Sequence, residues 1–327
     1  SGLNAANIKI ENIYCSGASD FSKFSVRSEL EFVNLYNLGN VSFKQSLMSA
    51  SAFFASFPNN SGQYFIGGYQ DMADFECRHL GMYGLEITDD LSLWNAKMTG
   101  GLLMTSIPNF QFIVRRNLLL DSLQAKYINI GGISIIGDFS ATNSTLNKFL
   151  RINPYLKQID EHSTIKYPTT IHGSLNFKSL TCGEIELNGV EVNNYLDFSN
   201  AKLSGKLELK RTKEFELKIG GYAVFLNLQA QYIDVGGITV KGEFSLNNAT
   251  VEEYIQFASF DAENEIHPTK IGYWQSNDPN DEESKLSLSL YGATVKHGFL
   301  AFMGVDIAGD LLLNFAKVGT GIFFRST

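Results

Sequence analysis

Apolar residues recur in this chain with two nested periods. Within a short stretch they alternate as h-x-h, where h is apolar, and the pair recurs eleven residues later. Ile185, Leu187, Val190 and Val192 are followed at that step by Leu196, Phe198, Ala201 and Leu203, and then by Leu207 and Leu209. The same register holds for Ile128, Ile130, Ile133, Ile135, Phe139, Ala141, Ser144, Leu146, Leu150 and Ile152. It holds again from Ile233 to Phe257, and from Leu311 through Ala316 and Val318 to Ile322 and Phe324. Period two puts both members of each pair on one side of a short strand. Helical spacing would mix polar and apolar residues on one face, so the strict register excludes a helix.

The residues between the pairs predict corners. Asn95, Asn143, Asn200 and Asn248 fall at one place in the unit, and Gly100, Gly205, Gly298 and Gly321 open the next strand. Asn and Gly tolerate the left-handed backbone that a tight corner demands. The pairs Gly131-Gly132, Gly220-Gly221 and Gly236-Gly237 recur with the unit and so read as corners rather than phosphate cradles.

A longer repeat contains the short one. Gly84–Met104 and Gly189–Leu209 are identical at 8 of 21 positions, and Ser122–Phe139 and Asn227–Phe244 at 10 of 18, with one shared offset of 105. Such self-similarity marks a stacked-repeat architecture. The expected fold is all-β: a right-handed parallel β-solenoid (β-helix) of 11-residue units, with a 105-residue super-repeat and loop insertions. It is expected to be a single elongated body over 1–327, with copies of roughly 20–122, 123–227 and 228–327. Two units per coil of ~22 residues would give four short faces, and three units would give a triangular coil; in either case coils stack ~4.8 Å apart.

The rhythm breaks at Pro58–Tyr69, Asn153–Ile171 and Phe260–Lys285, and at Ser106–Arg116 and Lys210–Tyr222. The first three are expected to project from one corner and the last two from another. All six prolines lie in these stretches, as the missing N–H and fixed φ of proline require.

Composition narrows the function. Charged residues make up only 18%, and Phe and Tyr number 25 and 14. No apolar run approaches the length of a membrane span. A net charge of −8 argues against direct nucleic-acid binding. Cys15, Cys77 and Cys182 cannot make a disulfide framework and read as buried free thiols, Cys77 and Cys182 at equivalent inward positions; a reducing, cytoplasmic setting fits, and so does a secreted protein that lacks disulfides. No nucleotide motif occurs, and His79, His162, His172, His267 and His297 form no metal pattern. The turn with Asp89 and Asp90 carries Asn193 and Asn194 in the second copy, and so reads as a polar turn; Asp278, Asp281, Glu282 and Glu283 read as a solvated loop tip. No catalytic residue, metal site or cofactor is expected, and the chain reads as a non-enzyme.

SNAKL (Ser199–Leu203) and WNAKM (Trp94–Met98) resemble the pentapeptide-repeat β-helices, although the unit here is eleven rather than five. The repeat is closer to bacterial solenoids of G-x-L-x-L-x-G-A-x-I pattern, some labelled "membrane-associated oxidoreductase". The resemblance implies fold and not activity.

The leading expectation is a non-catalytic scaffold that binds a protein partner through loop walls. The alternative is a carbohydrate-binding or carbohydrate-cleaving β-helix using Tyr64, Tyr69, Tyr155, Tyr167, Tyr273 and Trp274. The third is an acidic DNA-mimic rod, a reading opposed by the basic stretches at Arg115-Arg116 and Lys210–Lys213. Ile322 and Phe324 keep register to the tip. The chain is therefore expected to be a piece of a longer protein, with room for a membrane anchor outside it, or to pair end to end with a second copy.

Overall fold

A computed structural model describes residues 4–5, 7–56, 63–160, 163–262, 265–272 and 286–326. The chain divides into two compact units, Ser1–Gly173 and Ser174–Thr327. Among the described residues there is no helix, and the solenoid strands pair in parallel. Both units are therefore parallel β-solenoids.

Each coil has four short strands. In one coil of the first unit these are Lys97–Met98, Gly101–Thr105, Phe112–Val114 and Leu118–Leu119. Leu80 pairs with Leu102, and Ile128 with Leu150, each two 11-residue units on; Leu102 pairs with Ile128, four positions further than that. The second unit repeats this sequence of steps. Ile185 to Leu207 and Ile233 to Ile255 are short steps, and Leu207 to Ile233 is the long one. Two 11-residue units therefore make one coil, and the extra four positions belong to an insertion. The four faces form three sheets, because the first two strands of a coil lie in one sheet and fuse in Gln124–Gly131 and Thr145–Asn153.

The inward columns fill the core. Every inward residue of the Ile128–Ile152, Ile185–Leu209 and Ile233–Phe257 series is at most 6% exposed. Phenylalanines stack coil on coil: Phe32 and Phe54 at 5.6 Å, Phe198 and Phe225 at 5.5 Å, Phe225 and Phe244 at 4.8 Å. These spacings approach the ~4.8 Å strand repeat, so each ring sits over its equivalent.

The corner between the fourth and first strands is left-handed as expected, with φ of 55° at Asn95, Asn143 and Asn248 and 60° at Asn200. Lys23, Gln45, Asp74, Ser122, Ser179, Asn227 and Phe315 share this conformation. Asn95 Nδ2 donates to Asp74 Oδ1 at 2.7 Å, and Asn227 Nδ2 to Asn200 Oδ1 at 3.0 Å. Short side chains here tie one coil to the next as well as tolerating the turn.

Cys77 and Cys182 are buried and form no disulfide, as the 105-residue offset requires. Burial pushes the Cys77 thiol up to about 12. Cys15 also forms no disulfide, but it is half-buried rather than buried as expected, and Ile13 in the same coil is likewise 39% exposed.

The loop corner and a candidate binding groove

Among the described residues the insertions leave the coil at one corner, between the second and third strands. This corrects the expectation of two corners. An 11-residue unit builds half a coil, so opposite corners look alike in the hydrophobic pattern, and only strand pairing distinguishes them. In the first unit the insertions follow Ala55, Thr105 and Asn153; in the second they follow Lys210 and Ala258. The stretch Phe260–Lys285 is not one loop. Phe260–Ala262 pairs antiparallel with Glu265–His267, the chain returns to the coil at Thr269–Ile271, and residues 273–285 lie outside the described residues.

From Ser56 onward within each unit, a coil with an insertion alternates with a coil whose corner is a single glycine. Gly84, Gly132, Gly189 and Gly237 have φ between 60° and 65°. A Cβ on Gly84 would lie 2.7 Å from Ile107 Cγ1 and 2.8 Å from Phe110 Cβ; one on Gly189 would lie 2.9 Å from Phe215 Cβ; one on Gly237 would lie 2.5 Å from Phe260 Cβ. On Gly132 it would meet Tyr155 and Tyr167. Each insertion thus folds over the glycine of an adjoining coil, and only glycine permits both the backbone and the approach.

Buried hydroxyls fix these junctions. Ser56 Oγ donates to Gly84 O at 2.7 Å and accepts from Tyr64 N at 2.6 Å; Ser106 Oγ donates to Gly132 O at 2.5 Å and accepts from Phe112 N at 2.8 Å. Thr169 and Thr269 act from the far end of their hairpins, each accepting at 2.9 Å from the glycine N–H (Gly132, Gly237) and donating at 2.5 Å to Asn153 O and Ala258 O. All four residues are at most 1% exposed.

The six aromatic candidates do not form one site. Tyr64 is a core residue, fully buried edge-on to Phe54, and its hydroxyl finds no hydrogen-bond partner among the described residues; this corrects its placement among exposed loop aromatics. Residues 64–66 form a strand, so the first loop ends earlier than expected. Tyr155 and Tyr167 flank the first-unit hairpin with ring centroids 6.0 Å apart, half-buried over Gly132. At the hairpin's outer part, Leu156 is 43% and Ile159 57% exposed. Tyr69 is exposed on another face. Tyr273 and Trp274 lie outside the described residues, as do His162 and the Asp278–Glu283 run.

Tyr69 borders an open groove of about 540 Å³ on the outer face of the fourth strands, with Asp71, Asp89, Asp90, Trp94 and Arg116 among its lining. Asp71 lies on the floor, paired in register with Ser92, and Ser92 with Leu119. Tyr69 precedes that strand and Trp94 follows its neighbour, so the two rings border opposite ends of the floor. Asp89 Oδ1 accepts from Arg116 Nη1 at 2.9 Å, and this bond, with the field of Asp89 and Asp90, raises the guanidinium above its ordinary pKa. Asp90 Oδ1 accepts from Asn117 N and Nδ2 at 2.9 Å each, and Asp71 Oδ1 from Ala73 N at 2.9 Å.

The second copy lacks this groove's chemistry. At the 105 offset Tyr69, Asp71, Asp89, Asp90, Trp94 and Arg116 become Ser174, Asn176, Asn194, Tyr195, Ser199 and Gly221, whereas inward Leu91 and Ala96 keep their identities as Leu196 and Ala201. Reading Asp89-Asp90 as a polar turn captured its backbone role and missed this setting. Trp94, Asp71 and Arg116 were overlooked because the repeat draws attention to positions that match, and these are positions that differ.

Among the described residues no group of three or more His, Cys, Asp or Glu side chains is arranged to hold a metal ion, and no helix is long and apolar enough to cross a membrane. Comparison with protein families, curated proteins and solved structures finds no match.

Proposed function

We propose that this protein is a non-catalytic interaction scaffold, whose solenoid holds a set of loops against a protein partner. The loop corner carries this reading. The described insertions share one corner, alternate with glycine seats and are pinned by buried hydroxyls, so the fold commits core positions such as Ser106 and Thr169 to holding surface segments in place. Rigidly held loops with exposed apolar tips are the usual form of a recognition surface. Cofactors have no part in this reading. The carbohydrate alternative is weaker, since Tyr64 is spent on the core and Tyr155 and Tyr167 are packed against a glycine corner.

A photo-crosslinking residue placed at Ile159 or Ile266, each 57% exposed, tests the proposal in cells. A discrete adduct from these positions, absent from the exposed Lys44 on another corner, is expected. Equal labelling from all three positions, or hydrolysis of a polysaccharide by the purified protein, would remove the scaffold reading.

A further inference from the structure

We infer that the Tyr69–Trp94 groove of the first unit binds a basic peptide segment, with a lysine or arginine side chain against Trp94. The inference rests on the scaffold reading and names the chemistry of a partner contact. It starts from charge. Three carboxylates and one guanidinium line the groove, and the guanidinium is already engaged by Asp89, so the lining is acidic overall. Asp71 and Asp90 each use one oxygen, Oδ1, to hold backbone or side-chain N–H groups. Among the described residues their Oδ2 atoms make no hydrogen bond, and they remain available to a donor.

The aromatic rings fit the same guest. Trp94 is 50% and Tyr69 42% exposed, and neither has an aromatic partner among the described residues. An indole face is the strongest aromatic site for a cation. The two rings stand four positions apart along the strand direction in adjoining coils, which at ~3.3 Å per residue is roughly 13 Å. That span accommodates a few residues of extended chain lying along the groove. A neutral saccharide could stack on the rings and donate hydroxyls to the same carboxylates, but only a cation gains in addition from the net negative charge.

The second copy supplies the variants. Asn176 holds Lys178 N at 3.2 Å, as Asp71 holds Ala73 N, so Asp71→Asn keeps the turn; Asn194 already stands where Asp89 stands. Trp94→Ser reproduces Ser199. The chain has two tryptophans, so Trp274→Phe leaves Trp94 as the sole indole reporter.

The test is a fluorescence titration of the full chain carrying Trp274→Phe at low ionic strength. The probes are an oligolysine peptide, an oligoarginine peptide, the fully acetylated oligolysine and a neutral gluco-oligosaccharide. Saturable change is expected with the two basic peptides and not with the other two. Affinity should fall about tenfold in the Asp71→Asn/Asp89→Asn double variant and on raising the salt to ~0.5 M, as for pairs that water reaches. Calorimetry on Trp94→Ser should show a loss of similar size. Absence of saturation, an equal response to acetylated peptide, or a response to the oligosaccharide alone overturns the assignment, the last giving the groove to a glycan. None of these outcomes alters crosslinking from Ile159 or Ile266, so the groove and the loop corner fail separately.

Discussion

The stretch from Gly81 to Asn153 and its counterpart from Glu186 to Ala258 share a skeleton and differ in their surfaces. Corner residues correspond: Asn95 with Asn200, Ser122 with Asn227, Asn143 with Asn248, Gly132 with Gly237, all with positive φ. The outward positions of the wide sheet do not. The second copy carries Glu186, Lys206, Glu208, Lys210 and Asp234, joined by Lys206–Glu186 and Lys210–Asp234 bridges of 2.7 Å. The first copy has Gly81, Gly101, Leu103, Thr105 and Asn129 there, and the Tyr83 and Phe53 rings come within 2.8 Å of a Cβ built on Gly81. One copy surfaces its sheet with ion pairs and the other with rings laid over glycines. Coil geometry is therefore set by corners and inward columns, and the outer face is free to diverge.

The comparison can be broken most directly at the shared corners. Gly132→Ala combines a left-handed backbone with a clash against the hairpin. We expect it to cost about 3 kcal/mol or more in denaturant unfolding. Gly236→Ala, one residue before the equivalent Gly237, meets only Lys210 at 3.5 Å or more. Gly236 is buried, but the added methyl would touch only the flexible, half-buried Lys210 side chain at ordinary contact distance, so the change should cost at most about 0.5 kcal/mol. Equal costs at the two positions would show that the glycine seats are not what holds the insertions.

Next come the ion pairs peculiar to the second copy. Lys206→Met removes the cation that Glu186 and Glu208 share, at a face where these carboxylate side chains are only 14% and 20% exposed, while Glu208 keeps Lys210 at 3.2 Å. Losing this shared ion pair should cost about 1 kcal/mol. Burial alone would lower the Lys206 and Lys210 ammonium pKa values, but the hydrogen bonds and charges of Glu186, Glu208 and Asp234 outweigh it and raise both above the ordinary lysine value. A raised folded value stabilises fully below the unfolded value, and that stability is lost as pH climbs through the folded one. The alkaline fall in denaturation midpoint should therefore be shallower in Lys206→Met than in the parent, in matched titrations.

Ser106→Ala strands Phe112 N and Gly132 O in a buried junction, for an expected loss of ~1–3 kcal/mol. The second copy has Arg211 at this place and uses Thr212 Oγ1, which accepts from Phe215 N at 2.9 Å, in a half-buried loop. Thr212→Val should cost less than half as much by the same measurement.

Two changes should gain stability. Tyr64→Phe removes a buried hydroxyl that has no partner among the described residues and should add about 1 kcal/mol. Phe315 sits left-handed at φ 59° and 74% exposed, one position after Asn314, where other coils put the asparagine at the corner itself. Phe315→Asn should add up to about 1 kcal/mol, read as a rise in Tm.

The hydrophobic register was legible because inward residues in a parallel stack meet their own equivalents, so Ile185, Leu207 and Ile233 must all be apolar. Corner asparagines were legible through their backbone requirement. Tyr64 was not, because a strand beside an insertion is as rich in aromatic residues as the loop it ends. Gln70 and Asn37, both fully buried, escaped notice as polar residues in inward columns; Asn37 is satisfied by Ser19 Oγ at 2.8 Å and Gly39 O at 2.7 Å, whereas Gln70 keeps a bare Oε1. The groove was hidden for the opposite reason: its residues obey no periodicity, and only the departures of one copy from the other reveal them.

The glycine seats also impose a parity on the chain. Gly84 and Gly132, like Gly189 and Gly237, are separated by the length of one coil with an insertion plus one without. Excising such a pair leaves every loop beside a glycine. Excising a single coil brings two loops onto neighbouring turns, each occupying the space the other needs. Lineages of this sequence should therefore grow and shrink by even numbers of turns, and an odd-turn relative should have lost a loop along with the turn.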